Sequence, residues 1–296
     1  MKKQLQGSLS LLLATLIWGS AFIAQSVGME LIGPFTFQSI RCILAILFLI
    51  PVTFLFDRCN FQRFLTNWKN PKLWKTGILC GCALFVAASL QQVGLIYTDA
   101  GKAGFITAMY IVLVPVLGLF LNQKPSKTVI FGVALATLGL YLLSCMGVTQ
   151  VNKGDLLIMG CALAFAVQIL CVDRFAGDLD GLRLNCVQAL VVAVISLPFM
   201  VFTETIDYQN ILACWLPLVY AGVLSMGVAY SLQILGQKHL ESTTASLIMS
   251  LESVIAALCG WLILKETMTG VELLGCGLVF AAVILSQLPN KEKATA

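Results

Sequence analysis

Apolar runs of about twenty residues recur along the whole chain, and a helix of that length crosses a hydrocarbon core roughly 30 Å thick. Inside lipid the backbone has no water to pair with, so a crossing segment must satisfy its own N–H and C=O groups. That constraint leaves little besides membrane-spanning helices. The composition agrees: 59% of residues are hydrophobic and 11% charged, with a mean hydropathy of +0.94, outside the range of a soluble domain.

The expected fold is all-α and integral to the membrane, with ten transmembrane helices. They fall at roughly 8–28, 34–56, 74–97, 100–121, 128–146, 155–173, 182–203, 212–236, 242–264 and 270–288. The connections are short and leave no room for a soluble domain. The longest contains "FQRFLTNWKNPKLW", where Phe61, Phe64 and Trp68 fall at i, i+3 and i+7, an amphipathic turn suited to the headgroups. The first apolar stretch exceeds the roughly 7–15 residues of a signal-peptide core, and it has a counterpart later in the chain. It is read as the first span.

Charge sets the orientation. With both termini inside, the cytoplasmic segments carry fourteen of the 18 lysines and arginines: Lys2, Lys3, Arg58, Arg63, Lys69, Lys72, Lys75, Lys124, Lys127, Arg174, Arg183, Lys238, Lys291 and Lys293. The outer segments carry Lys102, Lys153 and Lys265, and Arg41 lies within a span. This is a positive-inside distribution and requires an even number of spans. The net charge of +4 follows from topology and gives no reason to expect nucleic acid as a partner. Most of the eleven cysteines, Cys42, Cys80, Cys82 and Cys145 among them, lie in apolar spans, where cysteine behaves as a small hydrophobe. No metal site, cofactor or structural disulfide is expected.

The chain also repeats itself. "LQQVGLIYTDAGKAGFI" begins at Leu90 and "LQILGQKHLESTTASLI" at Leu232, with Gln91/Gln233, Gly94/Gly236, Ala103/Ala245 and Ile106/Ile248 identical and Asp99 matched by Glu241. "GSLSLLLATLIWG" (7–19) likewise resembles "GDLLIMGCALAFA" (154–166). Five spans separate the copies, so the second enters the membrane inverted. Two similar halves of opposite orientation, 1–150 and 151–296, are a common construction for alternating access.

Together "ATLIWGSAFI" (14–23), Arg41, "TDAGKAGFITAMYIVLVPVLGLFL" (98–121), the "LKE" step at 264–266 and the glycine-bearing fifth and tenth spans resemble the drug/metabolite transporter superfamily, specifically its EamA-type ten-helix permeases. The resemblance implies a secondary carrier, often moving amino acids or other small metabolites outward. It also implies a multi-pass protein of a bacterial plasma membrane and peripheral fifth and tenth helices where a homodimer contact would form. The chain departs from the pattern at Gln123, where the first half usually has the glutamate that Glu266 supplies, and at Ser253, where a proline is common.

Charge inside a bilayer needs an explanation. Glu252 lies deep in span nine and is read as a proton or substrate-amine site; an ion pair with Arg41 is the structural alternative. Arg41 belongs to such a pair, to the pathway, or snorkels outward. Gln91 and Gln233 belong to opposing gates or line the two halves of a cavity, against simple interhelical hydrogen bonding. Gln168 is a weaker candidate of the same kind. Trp18, Ser20, Thr107, Tyr110 and Tyr230 complete the expected lining, which suits a small-molecule solute, with proton coupling at Glu252. Ser246, Ser250 and Ser253, with Gly132, Gly139, Gly270, Gly275 and Gly277, read as close-packing positions. The rival function is a membrane-embedded enzyme acting on a lipid or lipid-linked substrate, with His239 and the Asp173, Asp178, Asp180 cluster as its raw material.

Overall fold

The computed structural model describes residues 2–144, 151–263 and 268–287, and these are helical, with no strand among them. In chain order the elements are α1 (Lys2–Leu31), α2 (Pro34–Phe56), α3 (Phe61–Trp68), α4 (Pro71–Gly94), α5 (Ala100–Ala108), α6 (Tyr110–Phe120), α7 (Lys127–Ser144), α8 (Lys153–Phe175), α9 (Gly181–Thr203), α10 (Tyr208–Ala213) and α11 (Trp215–Val219). A π-helical stretch, Tyr220–Ala229, follows, then α12 (Tyr230–Gln237), α13 (Ser242–Met249), α14 (Leu251–Ile263) and α15 (Gly270–Ser286).

Among the described residues, eight helical segments are long and apolar enough to cross a membrane, with α5–α6, α11–α12 and α13–α14 each counting as one. Ten were expected. The other two, Lys127–Leu143 and Gly270–Ser286, are shorter apolar helices. A helix of 17 residues measures about 26 Å, a little under the hydrocarbon thickness. Cys145, Lys265, Glu266, Lys291 and Lys293 lie outside the described residues. The amphipathic turn forms as α3, with none of its residues buried.

Local chemistry starts the helices. Asn152 and Asp155 form a capping box at α8, and Thr269 and Glu272 another at α15, each satisfying amides that have no partner within the helix. Pro34 and Pro71 occupy first-turn positions, where a missing N–H costs nothing. The first turn of α2 receives its anion from far away: Glu204 accepts from the Phe35 and Thr36 amides, both at 2.8 Å, and from the Thr36 hydroxyl at 2.7 Å.

Two spans are broken. Met109 separates α5 from α6 and Ser250 separates α13 from α14. Pro115 lies inside α6, which runs through it; the break comes six residues earlier.

The helices of the two sequence copies interleave. α4 packs on α8 and α9, α2 on α9, α1 on α12 and α14, and α7 on α15. Glycines permit the closest approaches. A methyl group on Gly7 would lie 2.9 Å from the Gly236 oxygen, one on Gly154 2.7 Å from the Gly94 oxygen, and one on Gly139 2.7 Å from the Gly275 oxygen. The packing expectation fails at Gly270 and Gly277, where the same methyl meets nothing within 4 Å. Ion pairs gather at the two ends of the bundle. At one, Arg183 is held between Asp57 and Asp180; at the other, Lys102 meets Asp155 at 2.6 Å.

Candidate substrate cavity

The bundle encloses a central cavity with about 40 Å³ open to the centre of a water molecule, room for about three waters. Seven of the eight long spans contribute to its wall, both broken ones among them. From α1 come Trp18, Phe22 and Gln25; from α2, Arg41; from α4, Gln91. Thr107 and Tyr110 flank the Met109 break, while Met249 and Glu252 flank the Ser250 break. Phe165 and Ile169 (α8), Ser225 on the π-helical stretch, and Tyr230 and Gln233 (α12) close it.

A break in a helix does two things here. It frees backbone groups from the regular ladder, tolerated at membrane depth only where protein or a cavity surrounds them. It also redirects the side chains that follow. Tyr110 and Glu252 each come just after a break, and the Tyr110 hydroxyl donates to Glu252 Oε1 at 2.9 Å. Trp18 meets Tyr230 edge-on, with ring centroids 4.9 Å apart. The wall is therefore aromatic with a few placed polar groups, the usual make-up of a small-molecule site.

The two charged lining residues do not pair. Arg41 donates through Nη1 to Gln25 Oε1 at 2.7 Å, and Glu252 is held by Tyr110, so the structural ion pair is not what the fold forms. Gln91 donates to Thr107 Oγ1 at 3.3 Å and Gln233 to Gln168 Oε1 at 3.0 Å; both line the cavity and both are hydrogen-bonded across helices.

Two expected lining residues stand elsewhere. Ser20 turns away from the cavity, its Oγ 2.5 Å from the Tyr220 hydroxyl. On a helix a step of two is about 200°, so Ser20 and Trp18 face opposite ways. Gln168 lies behind the wall, fully buried, between Gln188 and Gln233. Phe22, Gln25, Phe165, Ile169, Ser225 and Met249 were not anticipated on the lining; Phe22 and Gln25 lie at i+4 and i+7 from Trp18, a spacing that marks one helix face.

A wider cavity of about 800 Å³ opens at the end of the bundle that carries Asp99, Lys102 and Asn152. It shares Phe22 with the central cavity, so this ring stands between the two. The cavity at the opposite end, about 180 Å³ beside Gln123, Asp173 and Ser242, shares no lining residue with the central one. There Gln123 donates to Asp173 at 2.7 Å and accepts from Ser242 at 2.6 Å, tying the end of the first copy to α8 and α13.

The three aspartates of the Asp173, Asp178 and Asp180 cluster have separate partners. Asp173 is taken by Gln123, Asp178 by Lys72 and Asp180 by Arg183. The EamA-like transporter family matches residues 5–145 and again residues 152–288. The chain belongs to that family.

Relatives of this EamA-like transporter agree along nearly its full length. It is 34% identical to an uncharacterized transporter of Archaeoglobus fulgidus, over 97% of this chain and 87% of that one. It is 29% identical to the threonine/homoserine exporter RhtA of Escherichia coli, over 94% of this chain and 90% of that one. A solved crystal structure superposes with a TM-score of 0.79 at 17% identity, covering 95% of this chain and 96% of the other, which shows the shared fold. The protein is a membrane transporter, and its family and relatives set the enzyme reading aside.

Proposed function

We propose that this transporter is a secondary carrier exporting a small organic metabolite, an amino acid or a related compound, by alternating access through the central cavity. The observation that carries the reading is the Tyr110–Glu252 hydrogen bond. It joins two residues 142 positions apart, the same offset that relates Gln91 to Gln233, at the heart of a cavity that adjoins a vestibule through Phe22.

Two inverted halves of five helices each, 1–150 and 151–296, supply the two states. The glycine contacts support this: Gly7 matches Gly154 and Gly94 matches Gly236 in the repeat, and Gly7 meets Gly236 while Gly154 meets Gly94. A twofold axis produces such crossed contacts. Both termini lie in the cytoplasm, on the charge count, which makes the vestibule beside Lys102 the outward opening. Exchange of the two halves would seal that opening behind Phe22 and part the Gly7–Gly236 contact.

Glu252 is the coupling residue in this reading. Tyr110 is bonded to it, Tyr230 and Arg41 line the same cavity, and it exchanges a proton or the solute's ammonium group between the two states. The likeness to a threonine/homoserine exporter supports a small hydroxyl-bearing amino acid as cargo.

Metabolite profiling of medium from cells with and without the protein tests the reading. A solute enriched tenfold or more outside expressing cells is the expected result. Unchanged medium together with a new modified lipid would overturn it.

A further inference from the structure

We infer that Arg41 is the carboxylate anchor of the central cavity, making it the residue that restricts cargo to solutes bearing a carboxylate. This rests on the carrier reading above and deepens it. Arg41 is 5% exposed and sits inside a span, where an unanswered charge is costly. Arg183, equally buried at the end of the bundle, shows how this fold treats a structural arginine. Although its Nε also lacks a hydrogen bond, its two terminal nitrogens reach the carboxylates of Asp57 and Asp180. Arg41 has no such answer. Among the described residues no carboxylate oxygen lies within 4.0 Å of its nitrogens, and its Nε is buried without a hydrogen-bond partner.

What Arg41 does have is orientation. Gln25 donates its own amide to the Ala21 carbonyl at 3.3 Å, which directs Oε1 to Arg41 Nη1 at 2.7 Å. The guanidinium carbon lies 5.9 Å from the centre of the Phe37 ring, within cation–π range. Cys42 also lies against the guanidinium, while Nε keeps no hydrogen-bond partner; with Nη2 it forms the edge that takes a carboxylate with two parallel hydrogen bonds. Across the same cavity stands Glu252, and the lining holds one cation and one anion, Arg41 and Glu252. The neutral complement is a zwitterion, with carboxylate on Arg41 and ammonium on Glu252. A solute lacking the carboxylate leaves a buried guanidinium unpaired, and sites of that kind reject such analogues strongly.

The test uses the full chain in proteoliposomes loaded with an equimolar mixture of the twenty L-amino acids, and in parallel with their carboxamides and decarboxylated amines. Wild type is expected to release at least one amino acid at ten times the rate of its carboxamide or more. Arg41→Gln is expected to lose that release at least tenfold and to bring the acid-to-amide ratio near one, with Arg41→Lys in between. Equal release of acid and amide by wild type, or a ratio unchanged in Arg41→Gln, would overturn the anchor while leaving the carrier reading intact. Release of nothing from either mixture would overturn both. Should Arg41→Gln fail to fold, Gln25→Leu carries the test, since it keeps the charge and removes its orientation; the ratio should then fall severalfold, and an unchanged ratio would count against the anchor.

Discussion

Tyr110 donates its hydroxyl to Glu252 at 2.9 Å across 142 residues of sequence. Each of the two follows a helix break, at Met109 and at Ser250, and each lines the cavity. The second copy thus carries an acid where the first carries a phenol. Among the described residues, Glu252 is the one carboxylate on the lining of that cavity.

Glu252→Gln keeps an acceptor for Tyr110 but removes the exchangeable proton. In vesicles with an imposed pH gradient, the variant should lose gradient-driven transport tenfold or more while retaining solute exchange between the two sides. The coupling role is wrong if wild type and variant respond alike to the gradient.

Asp57→Asn takes from Arg183 one of its two carboxylates. Both partners of that pair are buried, at 3% and 4% side-chain exposure, and breaking a buried pair from one side costs about 3–5 kcal/mol; with Asp180 still present the loss should sit at the low end. Thermal unfolding in detergent measures it. Asp57→Leu combined with Arg183→Met should recover much of the loss, because no buried charge is then left unanswered; Asp180 and Arg63, which also lose a partner, are 42% and 58% exposed and reach water.

Gly139 and Gly277 separate close packing from mere glycine content. Gly139→Ala places a methyl 2.7 Å from the Gly275 oxygen, and overpacking of this kind costs about 1–3 kcal/mol. Gly277→Ala meets open space within α15 and should raise stability by about 0.5–1 kcal/mol. Equal effects of the two in a thermal unfolding series would remove the α7–α15 contact from the account of stability.

Glu204→Ala should weaken the start of α2. The carboxylate serves the Phe35 and Thr36 amides, a cap worth about 1 kcal/mol with a contribution from the helix dipole. A lowered melting temperature is expected for Glu204→Ala, with Glu204→Gln intermediate. Hydrogen exchange at the first turn of α2 that is indifferent to both changes would refute the cap.

Particular residues show how far the sequence could be read. Glu252 and Arg41 announced themselves, because a charge within an apolar run has few explanations. Gln91 and Gln233 were legible through the repeat. Ser20 and Phe22 were not. In a soluble helix the polar face and the buried face differ in composition, but a helix in lipid is apolar on both sides. The sequence of α1 therefore holds little record of which side faces the cavity, and Ser20, the more polar of the two, turned out to bond Tyr220 instead. The same ambiguity hid Gln25, which lies on the cavity face with Trp18 and Phe22.

The membrane-spanning helical class, the family and the presence of a duplicated half follow from local and periodic properties, which hydrophobic length and direct comparison of residues expose. The placement of the helix breaks, the choice of Tyr110 over Arg41 as the partner of Glu252, and the division of glycines into packed and free depend on which helices meet and at what rotation. Those are contacts between residues far apart in the chain, several of them separated by more than a hundred positions, and a linear pattern of apolar residues in an apolar solvent does not encode them one by one. Packing decided them.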